Sequence, residues 1–361
     1  MIELKNVTKK YGEDTAVDGV SLKIDKGDFC VLIGPSGCGK STTLKMINRL
    51  IEPSGGEIFT DGLDVKKQKP EILRRGIGYV IQSVGLFPHM SVSDNIAVVP
   101  RLLKWENSRI DKQVNELLSL VELGSDYADK YPHQLSGGEA QRVGVARALA
   151  ADADILLMDE PFGALDPVTR EALQKGLLRI QKKLKKTVVF VTHDIDEAVR
   201  LATKIAIMKD GRVVQYDTPE NILNNPADKF TEEFIGIDRA LKNLTRMFVK
   251  DISSKVSTVK ERDKISDVIG LFCDKVYLWV TDENGRFTGW LSKSAKLDGS
   301  AEVKDFMHRA SSEQYCLSTD TTLKDALSKL VMNGVVVLPV SEDDLVIGEI
   351  SLQSILESGN G

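Results

Sequence analysis

No stretch of this chain comes near the roughly 18 consecutive apolar residues that a membrane-spanning helix needs. The first residues, MIELKNVTKKYG, also lack the apolar core of a signal peptide. Cysteine is scarce. Cys30, Cys38, Cys273 and Cys316 show no metal-ligand or redox spacing, which argues against a disulfide scaffold or a zinc site and fits a reducing cytosol. The four histidines, at 89, 133, 193 and 308, form no metal-ligand pattern. Positive charge is not in excess either: 48 Lys and Arg face 53 Asp and Glu, a net charge of −5. That leaves no basic footprint for nucleic acid. A protein of this make-up reaches a membrane only if a partner recruits it.

What is present is more specific. The 361 residues are enough for two or three domains, each with its own core. Residues 34–41 read GPSGCGKS, the phosphate-loop pattern G-x-x-x-x-G-K-[ST], filled by Gly34, Gly39, Lys40 and Ser41. An apolar, strand-like run, Phe29–Ile33, precedes it. Leu44, Ile47 and Leu50 follow at helical spacing. Strand, glycine loop and helix start together make an anion site of converging N–H groups. Pro35, Ser36, Gly37 and Cys38 form the loop interior, and Thr42 continues the helix start. Lys40 suits the β- and γ-phosphates of a nucleotide, and the Ser41 hydroxyl suits Mg²⁺. Cys38 is either an alkylation-sensitive thiol or simply a small residue that fits the loop.

Further on, Ile155–Glu160 reads ILLMDE, and Leu135–Glu139 reads LSGGE before AQRVGVARALA. Asp159 ends an apolar strand, where a carboxylate can order Mg²⁺. Ser136, Gly137 and Gly138 open a second helix and so form a second anion site. With the phosphate loop, these strings resemble the ATP-binding cassette ATPases, the motor subunits of transporters. The resemblance covers residues 1–236. It implies an α/β P-loop fold with a parallel-sheet core, an antiparallel β subdomain and a helical subdomain. It implies that Glu160 is the catalytic carboxylate, that His193 contacts the γ-phosphate, and that Gln82 reaches Mg²⁺ and the attacking water. Tyr11 matches the aromatic that stacks on adenine, its alternative being a tyrosine packed on the β subdomain. The family pairs two cassettes head to tail. Ser136, Gly137, Gly138, Glu139 and Asp166 then act on the ATP of the partner, and function needs a homodimer.

The remaining chain carries an internal repeat. Ile265, Val268, Ile269 and Phe272 are echoed by Leu323, Ala326, Leu327 and Leu330. Strand-like runs at Val276–Val280 and Phe287–Leu291 are echoed at Val336–Val340 and Leu345–Ile350, an offset of 58–60 residues throughout. This resembles an α+β CBS pair, the first copy degenerate. The expected division is a cassette over 1–236, a linker over 237–248, and CBS copies over 249–303 and 304–361. Nucleotide-binding copies end in a Ser/Thr with an Asp three residues on. Here those positions are Ser292 with Ala295 and Ser351 with Ser354, so two options stand: a cyclic dinucleotide in the cleft, or a response to ionic strength.

The string QSVGLFPHMSVSDNIAVVP, residues 82–100, places Phe87, Pro88 and His89 where a cassette receives the coupling helix of a membrane subunit. The alternative for Phe87 is a core position. This string, the junction FIGIDRALKNL and the CBS pair together resemble the osmoprotectant importers, which take up glycine betaine, carnitine and choline. The resemblance implies ATP and Mg²⁺, transmembrane permease subunits, an extracytoplasmic solute-binding protein, no nucleic acid, and a peripheral place on the cytoplasmic face of the membrane. Alternatives are an importer ATPase for an amino acid or related amine, a soluble cassette ATPase of translation or repair, and a regulatory nucleotide sensor.

Overall fold

Phe29–Ile33, Ile155–Asp159 and Thr187–Thr192 are buried at every residue, as parallel strands covered on both faces must be. The computed structural model describes residues 1–81, 85–163, 165–236, 239–272, 275–294 and 300–359. It divides into two units, Met1–Gly236 and Ile237–Gly361.

The strands of the first unit are β1 (Ile2–Tyr11), β2 (Asp14–Ile24), β3 (Phe29–Ile33), β4 (Gly55–Thr60), β5 (Leu63–Asp64), β6 (Ile77–Val80), β7 (Ile155–Asp159), β8 (Thr187–Thr192), β9 (Lys204–Lys209) and β10 (Arg212–Asp217). One sheet has the order β2-β1-β4-β5 and is antiparallel; the other has the order β10-β9-β3-β8-β7-β6 and is parallel except at β10. Alternation along the buried strands separates two cores. Phe29, Val31 and Ile33 pack with Val92, Ile96, Val114, Leu117 and Val143, on the side of the helices that follow β6. Cys30 and Leu32 pack instead with Leu4, Val20 and Ile58 of the antiparallel sheet and with Leu44 and Met46 of the helix after β3. The helix Asn107–Leu120 buries Val114, Leu117 and Leu118, as its periodicity predicts.

The second unit contains β11 (Ser254–Lys255), β12 (Val259–Lys260), β13 (Tyr277–Thr281), β14 (Phe287–Ser292), β15 (His308–Arg309), β16 (Leu317–Ser318), β17 (Val337–Glu342) and β18 (Leu345–Ser351). Its two sheets run β11-β18-β17-β16 and β12-β13-β14-β15. The two copies exchange their leading strands: β11, ahead of the first copy, pairs with β18 of the second, and β15 pairs with β14 of the first. The expected boundaries differ accordingly. Helix Arg239–Asn243 and buried Leu244 belong to the second unit, with Leu244 and Val249 in the core around Leu323 and Leu338, so the described part of the expected linker, 239–248, is packed. His308 and Arg309, expected in the second copy, complete the first copy's sheet. The first copy's helix is short, Ile265–Val268 continued by a 3₁₀ turn, against Leu323–Asn333 in the second.

Equivalent glycines permit the exchange. A Cβ on Gly289 would lie 2.0 Å from the His308 carbonyl oxygen, and one on Gly348 would lie 2.6 Å from that of Ser254. A side chain at either site pushes the borrowed strand away. Gly289→Ala is expected to destabilise the second unit by about 1–3 kcal/mol while leaving ATPase activity intact. Denaturant unfolding followed by tryptophan fluorescence checks it, and an unchanged midpoint would show that strand exchange carries little stability.

Candidate nucleotide site

The loop after β3 is built for a close approach. Gly39 has φ 99°, and a Cβ there would sit 2.4 Å from the Ala16 carbonyl oxygen of β2. The Thr43 hydroxyl donates to the Gly39 carbonyl at 2.9 Å, fixing the first turn of helix Lys40–Ile47. Pro35, Ser36 and Gly37 face solvent; Cys38 is buried. Burial pushes the Cys38 thiol up, against the pull of the Lys40 charge, so it is protonated at neutral pH and packs as a small residue. Lys40 is 6% exposed, and its ammonium donates to the carbonyls of Gly34 (2.7 Å) and Pro35 (2.8 Å). The charge is thus held inside the loop.

The neighbouring strands supply the acids. Ser41 donates its hydroxyl to Asp159 Oδ1 at 2.7 Å. Asp159 is buried at the end of β7, on the face that packs against helix Lys40–Ile47. Burial raises its pKa; the Ser41 hydroxyl and the Lys45 and Lys40 charges oppose that shift, and the Glu160 charge adds to it. A hydroxyl and a carboxylate facing each other offer the all-oxygen donors that Mg²⁺ prefers. Glu160 follows with φ 44°, a conformation rare for a residue with a side chain. Its N–H donates to the Val191 carbonyl of β8 at 3.0 Å, which holds the chain there. Glu160 Oε2 then lies 3.6 Å from His193 Nδ1, the residue after β8. His193 remains largely exposed, as a group that meets a ligand must.

Sequence reasoning missed the buried carboxylate that holds Thr192, the last residue of β8. Glu197 is buried, and burial raises its pKa. It accepts from the Thr192 hydroxyl (2.7 Å) and from Gln174 Nε2 (3.1 Å). Asp194 caps helix Ile195–Leu201, accepting from the N–H groups of Asp196 and Glu197. The spacing of Asp194 and Glu197, three residues apart, is the available signal.

Tyr11 stands at the turn of the β1–β2 hairpin, paired with Asp14 and 51% exposed. Lys9 Nζ lies 4.9 Å from its ring centre. The exposed ring fits a stacking partner better than a packed core. Gln82 lies outside the described residues.

A second group of expected residues gathers elsewhere. Ser136 caps helix Gly137–Leu149 in a reciprocal capping box with Glu139: the Glu139 N–H donates to Ser136 Oγ, and the Ser136 N–H donates to Glu139 Oε2 (2.7 Å). The Tyr127 hydroxyl donates to Glu139 Oε1 at 2.6 Å, and this bond leads in lowering the carboxyl's pKa. Asp166 caps helix Pro167–Leu184. Ser136, Gly137, Gly138, Glu139 and Asp166 line one open cleft of about 580 Å³, to which no phosphate-loop residue contributes.

A family model described as ABC transporter matches residues 17–163, and one described as CBS domain matches residues 303–361. The choline transport ATP-binding protein OpuBA of Bacillus subtilis is 45% identical over 99% of this chain and 96% of its own length. The glycine betaine/carnitine/choline transport ATP-binding protein OpuCA of the same organism is 45% identical over 95% of this chain and 92% of its own. This chain belongs to the ABC transporter ATP-binding proteins. Among solved structures, the ATP-binding cassette MJ0796, a dimer bound to ADP and Pi, is similar with a TM-score of 0.56 and 38% identity over 61% of this chain and 99% of that one.

On the cassette, Phe87 is 41% exposed, so it is not a core residue. Asn95, fully buried, holds its loop. The Asn95 side chain accepts from the Phe87 N–H (2.8 Å) and donates to the carbonyls of Phe87, Met90 and Ser91. Phe87 helps to line a groove of about 340 Å³ together with Tyr79, Val98, Val99 and Arg147.

Two substitutions separate grip from chemistry. Glu160→Gln is expected to keep ATP affinity within a few-fold and to lower turnover by about 10²-fold or more, since only the base is lost. Lys40→Ala is expected to weaken ATP binding itself, through loss of a charge-assisted contact. Equilibrium ATP binding measured beside steady-state hydrolysis distinguishes the two, and equal binding loss in both variants would contradict the assignment.

Proposed function

We propose that this chain is the ATP-hydrolysing subunit of an importer for quaternary-amine osmoprotectants of the glycine betaine, carnitine and choline class. The observation that carries ATP hydrolysis is the line Ser41–Asp159–Glu160–His193, assembled across three strand ends beside Lys40. The solute class is supported by likeness to the choline and glycine betaine/carnitine/choline proteins over nearly the whole chain, the second unit included.

In this reading Lys40 and the loop N–H groups hold the β- and γ-phosphates. Ser41 and Asp159 would hold Mg²⁺, which neutralises charge on the phosphate oxygens when bound. Glu160 accepts the proton of the attacking water. His193, steadied by Thr192 and Glu197, meets the γ-phosphate. The Ser136–Glu139 helix start and Asp166 complete the site of a second copy, because they lie in a separate cleft. A symmetric homodimer satisfies both sites at once. The groove at Phe87 receives a permease helix. No helix among the described residues is long and apolar enough to cross a membrane, so attachment through the permease keeps the subunit peripheral on the cytoplasmic face. A solute-binding protein acts on the far side. The CBS pair regulates transport rather than driving it.

Reconstitution with the partner permease tests this directly. ATP-dependent uptake of choline or glycine betaine is expected; uptake confined to a polyamine or an amino acid would refute the solute class. A chain ending at Gly236, where the first unit closes, is expected to keep basal ATPase activity within about threefold and to lose the response of transport to salt or cyclic dinucleotide. Truncated protein that still responds fully would remove the second unit from regulation.

A further inference from the structure

We propose that the seam between the two halves of the second unit is a binding site for a quaternary ammonium group. A cavity of about 40 Å³ opens there, lined by Tyr277, Trp279, Trp290, Tyr315, Val335 and Val337. Three of the rings come from the β13–β14 hairpin of the first copy. Tyr315 and the two valines come from the second. The rings of Trp290 and Tyr315 lie 4.9 Å apart and tilted by 52°; those of Tyr277 and Trp279 lie 6.4 Å apart and nearly parallel. Two ring pairs at different inclinations therefore face one small space.

The chemistry of the lining selects the occupant. Every side chain is aromatic or aliphatic, and the polar tips are two tyrosine hydroxyls and the indole N–H groups of Trp290 and Trp279. The second of these is committed: Trp279 Nε1 donates to Glu349 Oε2 at 2.8 Å. Glu349 Oε1 accepts from Lys275 at 2.8 Å, which fixes the carboxylate behind the ring. A carboxylate on the indole N–H drives electron density onto the ring face, where a cation is attracted. A nucleobase or a primary ammonium would bring N–H donors into a lining whose only side-chain acceptors are the Tyr277 and Tyr315 hydroxyls. A quaternary ammonium has no N–H, and its charge is spread over methyl groups that pack against rings. The space holds about three waters, the scale of a trimethylammonium head rather than a purine.

The duplication sharpens the point. Trp279 pairs with Trp290 across the first hairpin, and the equivalent pair in the second is Pro339 with Glu349. The rings are therefore not a requirement of the fold, since the sister hairpin forms without them. One cage per CBS pair results. Its use as a gauge of imported solute rests on the importer reading; the binding itself does not.

The test uses the full-length chain. Trp105→Phe leaves Trp279 and Trp290 as the only tryptophans, so fluorescence reports the cavity. Tetramethylammonium and choline are expected to give a saturable change below about 10 mM, with the uncharged isostere 3,3-dimethylbutan-1-ol about tenfold weaker. Ethanolamine, which keeps its N–H donors, should also be at least about tenfold weaker. Tyr315→Leu is expected to weaken choline about tenfold with ATPase activity unchanged, and Tyr315→Phe to retain it. No saturable change with either cation overturns the proposal. So does an isostere that binds as tightly as choline, since the pocket is then merely apolar. A cyclic dinucleotide or AMP that saturates the same signal more tightly than choline also overturns it, in favour of base stacking. No permease is present, so failure here stands apart from failure of the uptake experiment.

Discussion

Parallel pairing of β3 with β8 and of β8 with β7 puts Leu32, Val191 and Asp159 in one row across the sheet. Each chain then leaves the sheet at the same edge. One residue further stand Ile33, Thr192 and Glu160, and one beyond β3 and β8 stand Gly34 and His193. The phosphate loop, Asp159, Glu160 and His193 therefore meet because three strands end in register, which is where open α/β sheets bind ligands. A slip of one residue between β7 and β8 would turn Asp159 to the opposite core and bury its carboxylate away from Ser41, which disfavours it. The stability of the sheet and the geometry of the site are one constraint.

The second unit solves a different problem. Each copy is small, with about 50 residues and a core of its own that is limited by surface. Exchanging β11 and β15 gives each sheet a strand from the other copy, so neither half is complete alone. The glycines at 289 and 348 mark the two crossings symmetrically. The seam itself is not symmetric. Trp279, Phe287 and Trp290 on one side pack with Cys316, Tyr315 and Val337 on the other.

Much of this was legible from residue order. Continuous apolar runs mark β3, β7 and β8, and Gly34–Ser41 marks the loop between sheet and helix. The 58–60 residue offset marks the two hairpins of the second unit. Other features leave no local trace. β11 and β15 have two residues each, too few to show a period, and the partner of β11, β18, lies far along the chain. Leu244 reads as part of a junction because its packing partners, around Leu323, come nearly eighty residues later. Asn95 looks like an ordinary polar position on a helix, and Glu197 is marked only by its spacing from Asp194; neither pattern shows that the side chain is buried. The aromatic seam draws on residues from 277 to 337, and no spacing rule joins them.

Lys40, Ser41, Asp159, Glu160 and His193, to which the proposed function assigns hydrolysis, all lie in the first unit. A ligand at the seam can then influence transport only through its preference between states of the second unit. Equal affinity for two states shifts nothing, however tight the binding. A tenfold preference moves the equilibrium by about 1.4 kcal/mol, enough to turn an evenly populated switch into one about nine-tenths committed. A cage of four rings suits that scale. Rings that close on a cation in one arrangement and part in another change its affinity without any new hydrogen bond to build. Weak, adjustable contacts of this kind suit a solute present at high concentration, because a tight site would saturate early and report nothing more. In the proposed function, the buried ammonium of Lys40 and the short Ser41–Asp159 contact belong to the opposite regime, a fixed charge pattern that grips phosphate in every cycle.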